Sequence, residues 1–349
     1  MSAVFDELGA NELKIAFTDS DETTQLYAEI EDWDNTAETA FIWVKVPSIT
    51  TAGKSIYLYF DSAQADNTTY IGNDTADAPT NTVWTNYLGV HHFNQSLTAG
   101  VANELKDSTS NNMDGNASAS GAPNIEDSKI GKGQNFDRVS DESIEIPTGT
   151  TATQWTLSYW YYYTSGDDGQ TNRVWMGGTN IASDINIGQK TGDQKMNTYL
   201  PNTWYTNLFS VPNNTWHHVH FVFNGTSATT DYYLNGAYQT QVAKGPSLQN
   251  DTLHIMETPG YARFVTGKMD EHRIYSGIAT AAYIKADYNS TNDSLLTFTL
   301  PDESSSSSNS SSSSQSESSA SSESSPSSSS SSSSSPGDIP SESSDSSNS

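Results

Sequence analysis

"WHHVHFVFNG", residues 216–225, decides how the chain is read, because three of its seven histidines fall within residues 216–220 and their role depends on the backbone that carries them. The run is rich in aromatic and β-branched residues and ends in Asn224-Gly225, a dipeptide suited to positive-φ turns. That pattern is a strand. On a strand Trp216, His218 and His220 share one face, while His217, Val219 and Phe221 share the other. His218 and His220 then form a His-x-His pair of the kind that chelates zinc when a third ligand comes from elsewhere, but the structural reading of the cluster is preferred.

Outward from this run, alternation and turn dipeptides recur and helical stripes are almost absent. "WTLSYWYYY" (155–163), "RVWMGG" (173–178), "TDYYLNG" (230–236) and "DEHRIYS" (270–276) are spaced like strands of a sandwich, with Asn224-Gly225 and Asn235-Gly236 expected as two-residue hairpin turns. "AFIWVKVP" (40–47) and "SIYLYF" (55–60), separated by "SITTAGK", read as neighbouring antiparallel strands. In "TAAYIKADYNS" (280–290), Ala282, Ile284, Ala286 and Tyr288 form no clean stripe, so at most a short helix is expected. The fold class is therefore all-β.

Composition narrows the function classes. From Ser304 the chain is nearly all serine with no aromatic residue, which cannot bury enough apolar surface to order itself; it reads as a disordered spacer. Net charge is −27, and without the tail's seven acids 35 acids still face 15 bases. Such a surface repels nucleic acid and anionic headgroups, so neither is expected as a partner. Zero cysteine excludes disulfides, thiolate metal sites and a cysteine nucleophile. No apolar run is long enough to cross a bilayer, so membrane insertion is not expected, and no signal peptide precedes Phe5. Asn-x-Ser/Thr triplets at Asn67, Asn116, Asn224 and Asn250, with the Ser/Pro spacer, read as an extracellular, cell-surface or virion-associated protein.

Five segments in order carry a resemblance: "LGVHHFNQ" (88–95), "LKDSTSNNMDGNAS" (105–118) with "GKGQNFD" (131–137), "TLSYWYYY" (156–163), "NTWHHVHFVFNG" (214–225) with "YYLNGA" (232–237), and "GKMDEHRIYSGIATAAYIKADYN" (267–289). Residues 84–300 resemble a laminin-G-like module of the concanavalin A-like superfamily, which implies an antiparallel β-sandwich, or jelly roll. Residues 1–83, with "FDELGANELKIAFTDSD", "YAEIEDWD", "FIWVKVP" and "IYLYFDSAQADNTTY", resemble a small β domain of unknown function that precedes such modules in prokaryotic and viral surface proteins. That domain has strands ahead of the position matched by Phe5, so this copy is expected to be truncated. Residues 301–349 complete the division as the Ser-rich tail.

The resemblance also weights the sites. Trp-His-His belongs to the family's framework, which leaves only His220 outside the pattern. A loop like "DSTSNNMDG" and the Asp of the "DE" pair can hold calcium in such modules, which nominates Asp107, Asn111 and Asp270 for one structural calcium ion. Asp114 stands where the family has histidine. An Asx-rich turn satisfying its own backbone is the competing reading. If Leu157 faces the core, Ser158, Trp160 and Tyr162 face outward, and exposed aromatic faces stack on sugar rings. Trp160, Tyr162, Trp175 and Trp204 are therefore the candidate ligand-binding residues, with Tyr205 a further one. A framework Trp at the place of Trp160 is the alternative. Glycosidases of this superfamily need paired carboxylates as Glu-x-Asp-x-Glu or a close variant; "EIED" (29–32) and "ESIEI" (142–146) lack the full spacing, and "EIED" lies in the other domain. The expectation is a non-catalytic binding module for a glycan or surface protein, with a display or spacer module of an adhesin or tail fibre as the alternative.

Overall fold

The Trp216–Asn224 strand lies inside an eight-stranded antiparallel sheet, between Thr229–Leu234 on one side and the twelve-residue Gln154–Ser165 strand on the other. The computed structural model describes residues 2–50, 52–166, 171–179, 184–190, 192–261 and 263–299. The Ser-rich spacer of residues 301–349 lies outside them.

Across the sheet the order is Ala237–Val242, Thr229–Leu234, Trp216–Asn224, Gln154–Ser165, Thr266–Tyr275, Lys132–Phe136 and Asn124–Asp127, and Tyr87–His91 also pairs with Thr266–Tyr275. A second, seven-stranded sheet runs Thr203–Tyr205, Met196–Leu200, Ile185–Gln189, Asn172–Gly177, Thr252–Ile255, Ile144–Pro147 and Asn116–Ala117. Both sheets turn one face inward, and the core between them is aromatic. Leu157, Tyr159, Tyr161, Tyr163, Phe221 and Phe223 from the first meet Trp175, Ile187, Leu253 and Ile255 from the second. This is the all-β jelly roll expected from the sequence.

The N-terminal part has two small sheets. Ile15–Thr18 sits between Gln25–Leu26 and Tyr57–Phe60; Ala28–Asp34 sits between Thr39–Val44 and Ile71–Gly72. Val4, Leu8, Ile15, Phe17, Leu26 and Ile30 pack between them. The two runs expected to pair with each other are thus both strands but belong to different sheets. Local turn chemistry explains this: Asp34 Oδ1 accepts from the backbone N–H groups of Thr36 and Ala37, closing a tight hairpin that gives Thr39–Val44 to Ala28–Asp34.

A similar correction applies at Asn224-Gly225. Asn235 and Gly236, with φ of 51° and 73°, make the expected two-residue turn. At residue 224 the Asn side chain instead accepts from Thr226 and Ser227, and the positive φ falls on Ala228, at 52°. Gly225 is needed for close approach, since a Cβ there would lie 2.6 Å from the Thr153 carbonyl oxygen. Residues Ala281–Thr291 form an α-helix, longer than expected, capped by Thr280, whose hydroxyl accepts from the Tyr283 N–H at 3.2 Å.

Candidate functional site

Alternation on Gln154–Ser165 sends Ser158, Trp160 and Tyr162 away from the core, as the sequence predicts. That face is not open. The Ala281–Thr291 helix lies over it, and Trp160 is only 2% exposed. Its ring stacks on His218 at 4.8 Å and 9°, with Tyr288 at 5.8 Å and the Lys129 ammonium 4.6 Å from its centroid. Tyr162 is half-buried, edge-on to Trp216 at 5.7 Å. Trp160 is therefore framework here, and its stacking role is corrected by burial.

The helix also brings Asp287 to the histidine pair. His220 Nε2 lies 2.9 Å and His218 Nε2 3.8 Å from Asp287 Oδ2, while Asp287 Oδ1 accepts from Arg273 Nη1 at 3.0 Å. Burial alone would raise the Asp287 carboxyl, but the His220 hydrogen bond and the Arg273 guanidinium hold it well below the usual carboxylate range. The third partner that a His-x-His pair needs is thus an aspartate 67 positions beyond His220, invisible to spacing. The arginine already occupies much of its charge.

Arg273 continues the chain of polar contacts toward the N-terminal domain. It donates through Nε to Glu271 Oε2 at 3.0 Å and lies under two indoles, 4.2 Å from the Trp43 ring centroid and 5.1 Å from that of Trp84. Glu271 stands at φ 54° where the Thr266–Tyr275 strand carries one residue more than its partner between Trp160 and Ser158. This bulge turns Glu271 to the same side as Asp270. There it meets His92, whose Nδ1 is 2.9 Å from Glu271 Oε1 and 3.4 Å from Glu31 Oε2, and whose Nε2 is 3.2 Å from Glu29 Oε2. The carboxylates have their own donors. Trp43 Nε1 donates to Glu31 at 2.7 Å, Ser108 Oγ to Glu29 at 2.7 Å, and Trp84 Nε1 also to Glu29. Burial would lower the His92 pKa, but Glu271, Glu31 and Glu29 together carry it well above its ordinary value; burial and Glu271 push Glu31 well above its own. Glu29 and Glu31 of "EIED" therefore sit in a joint between the two β domains, on a cavity of about 190 Å³ also lined by Asn94, Gln95 and Ser108.

The remaining expected residues lie elsewhere. Trp175 is fully buried, and its indole N–H donates to His272 Nε2 at 3.0 Å. His272 Nδ1 is 3.3 Å from His91 Nδ1, and His91 Nε2 reaches the Met113 carbonyl at 2.8 Å. This relay satisfies every polar atom of an inward-facing Trp-His-His set and removes Trp175 as a ligand contact. Burial pushes both histidines down toward the neutral form the relay uses. Asp107 is 1% exposed, and its oxygens accept from Val90 N, Thr109 N, Thr109 Oγ1 and Met113 N, all at 2.8–2.9 Å. Asn111 donates to the Tyr87 and Leu88 carbonyls, and Asp270 Oδ2 accepts from Ile130 N at 2.8 Å. The three residues nominated for calcium are each committed to different partners, and Asp107 acts as the organiser of its turn. Asp114 pairs with Lys106 at 2.7 Å.

Trp204 differs. It is 45% exposed, the only exposed one of the eight tryptophans. It lies on the terminal strand of the seven-stranded sheet, against Tyr199 at 5.0 Å, and the Arg173 guanidinium sits 5.1 Å from its ring. Arg173 is held by Asn186 Oδ1 at 3.3 Å and by the Thr171 carbonyl; burial, with Arg263 nearby, lowers its pKa to about 10. Tyr261, 58% exposed, is stacked by Arg263 at 5.2 Å. Neither arginine has a carboxylate within 4 Å among the described residues. Sequence reasoning named Trp204 but missed Arg173 and Arg263, which stand on the Asn172–Gly177 and Arg263–Phe264 strands, far from Trp204 in the chain.

Residues 137–285 match the family model of the Concanavalin A-like lectin/glucanases superfamily, and residues 11–95 match the Domain of unknown function (DUF2341). The chain carries a laminin-G-like module of that superfamily behind a domain of the second family. In solved structures it is similar to domain 4 of AbnA, a GH43 extracellular arabinanase from Geobacillus stearothermophilus, in complex with arabinotriose, at 20% identity and TM-score 0.48, over 58% of this chain and 97% of that one. It is also similar to the binding domain of Paraclostridial Mosquitocidal Protein 1 (14%, TM-score 0.46, 59% and 52%) and to the botulinum neurotoxin type G receptor binding domain (10%, TM-score 0.42, 58% and 51%). These are likenesses of fold. No curated protein matches the chain.

Proposed function

We propose that the chain is a non-catalytic, extracellular or virion-surface binding protein whose jelly roll takes up a glycan at Trp204. The observation that carries this reading is the exposed Trp204 ring with Tyr199 beside it and Arg173 stacked against it. An indole face buries apolar sugar C–H groups, and Arg173, itself only 5% exposed and held by Asn186 and the Thr171 carbonyl, fixes the tilt of that ring from behind. Arg173 and Arg263, neither with a carboxylate within 4 Å among the described residues, favour an acidic sugar over a neutral one. Glu29 and Glu31 of "EIED", which lack the full glycosidase spacing, lie in the domain joint beside indole, hydroxyl and imidazole groups, which supports binding without bond cleavage.

The test is a glycan array probed with the full chain, with Trp204→Ala and Trp160→Ala beside it. Saturable binding to acidic glycans, lost in Trp204→Ala while that variant melts like wild type, is expected. Binding that survives Trp204→Ala would move the site elsewhere. Silence across the array would leave the display-module reading, which the burial of Trp160 and Trp175 favours.

A further inference from the structure

We propose that Glu31, His92 and Glu271 form a first-row divalent metal site that fastens the N-terminal β domain to the jelly roll. The three side chains come from three separate segments: a strand of the N-terminal domain, the residue after the Tyr87–His91 strand, and the bulge of Thr266–Tyr275. One ligand atom from each falls within 4.8 Å of the other two. Around His92 Nδ1 the separations are 2.9 Å to Glu271 and 3.4 Å to Glu31. Neighbouring ligand atoms around an ion at about 2.0–2.2 Å are themselves about 3 Å apart, so this spacing suits a shared metal. One imidazole and two carboxylates form a mixed donor set suited to zinc or manganese and a poor one for calcium.

The surroundings have the character of a metal site's outer shell. His92 turns its other nitrogen to Glu29, as metal-bound imidazoles do, and Glu29 is fixed by Ser108 and Trp84. Trp43 orients Glu31 and Arg273 orients Glu271.

An independent observation points to a missing positive charge. The Glu31 side chain is 0% exposed, yet its Oε1 has no hydrogen-bond partner. Asn94 Oδ1 and Gln95 Oε1, from residues on the same cavity, also lack donors. Three buried acceptors without a protein donor are costly unless a cation or water meets them, and a cation on the Glu31 carboxylate satisfies the charged one. Of the other nearby cations Arg273 is shared with Asp287, Lys106 is paired with Asp114 and Lys129 lies over Trp160, which leaves His92 itself, whose Nδ1 proton the metal would replace.

The experiment loads the metal-stripped full chain with Zn²⁺ or Mn²⁺ and reads stoichiometry, melting temperature and, for Mn²⁺, the number of coordinated imidazoles by electron spin-echo spectroscopy. One ion per chain, a rise in melting temperature absent with Ca²⁺, and a single imidazole are expected. Glu31→Gln should weaken binding at least 100-fold, and Glu29→Gln, which leaves the ligands in place, about 10-fold. The spectrum of wild type needs no variant to fold. Two imidazoles would assign the ion to His218, His220 and Asp287 and overturn the proposal, as would no uptake at millimolar metal or uptake unchanged in Glu31→Gln.

Discussion

At the scale of single residues, burial separates side chains that the sequence presents as equals. Trp160 and Trp204 are both outward-facing tryptophans on strands, but one is 2% and the other 45% exposed. Trp160→Ala is expected to cost about 3–5 kcal/mol and Trp204→Ala under about 1 kcal/mol, because only the first leaves a cavity; urea melts of both variants check this. Histidine makes a second residue-scale prediction. Burial pushes His218 well below its ordinary value; His220, Arg273 and Lys129 add to this and outweigh the opposing pull of Asp287. The unfolded chain takes up a proton near pH 6.5 and the folded His218 does not. Its contribution is therefore complete above that pH and is lost as the pH falls, by up to about 1.4 kcal/mol per pH unit. Urea melts between pH 7.5 and 5.5 should show a shallower decline for His218→Gln than for wild type; equal slopes would mean that His218 is charged in the fold.

At the scale of elements, the Ala281–Thr291 helix decides which sheet face stays open. Its weak amphipathic pattern hid this, because only Ile284 docks among apolar side chains, Val222 and Tyr233, while Asp287 and Tyr288 dock onto histidines and a tryptophan. Thr280→Ala removes the hydroxyl that accepts from the Tyr283 N–H and should cost about 1 kcal/mol. Hydrogen exchange of the 281–291 amides should quicken accordingly; unchanged protection would show that docking alone fixes the helix start. Strand positions were legible from alternation and turn residues. Strand partners in the N-terminal domain were not, because the Asp34 turn acts over three residues while the choice of sheet depends on which apolar faces meet.

At the scale of the whole molecule, Met1–Thr297 form one compact unit. The joint supplies buried contacts that neither β domain can satisfy alone: Trp43 stacks on His92 at 5.9 Å, and Glu29 takes its donors from Trp84 and Ser108. Unfolding is expected as one calorimetric transition for both domains, and His92→Ala, which leaves buried carboxylates unpaired, should split or lower it by about 3–5 kcal/mol. Two separate transitions in wild type would show that the domains fold independently.

By itself the sequence determined the all-β class and most strand positions, because period-two alternation and turn residues act over a few residues, while the jelly roll was implied by the resemblance of its segments to a known family. It also determined which residues share a face on Gln154–Ser165, but not on Thr266–Tyr275, where the bulge turns Glu271 to the side of Asp270. Only the tertiary structure decided which of those faces is covered, and so moved the candidate contact from Trp160 to Trp204. It alone gathered Glu31, His92 and Glu271, which stand 61 and 179 positions apart, since sequence spacing carries no information about side chains joined by sheet pairing and domain docking.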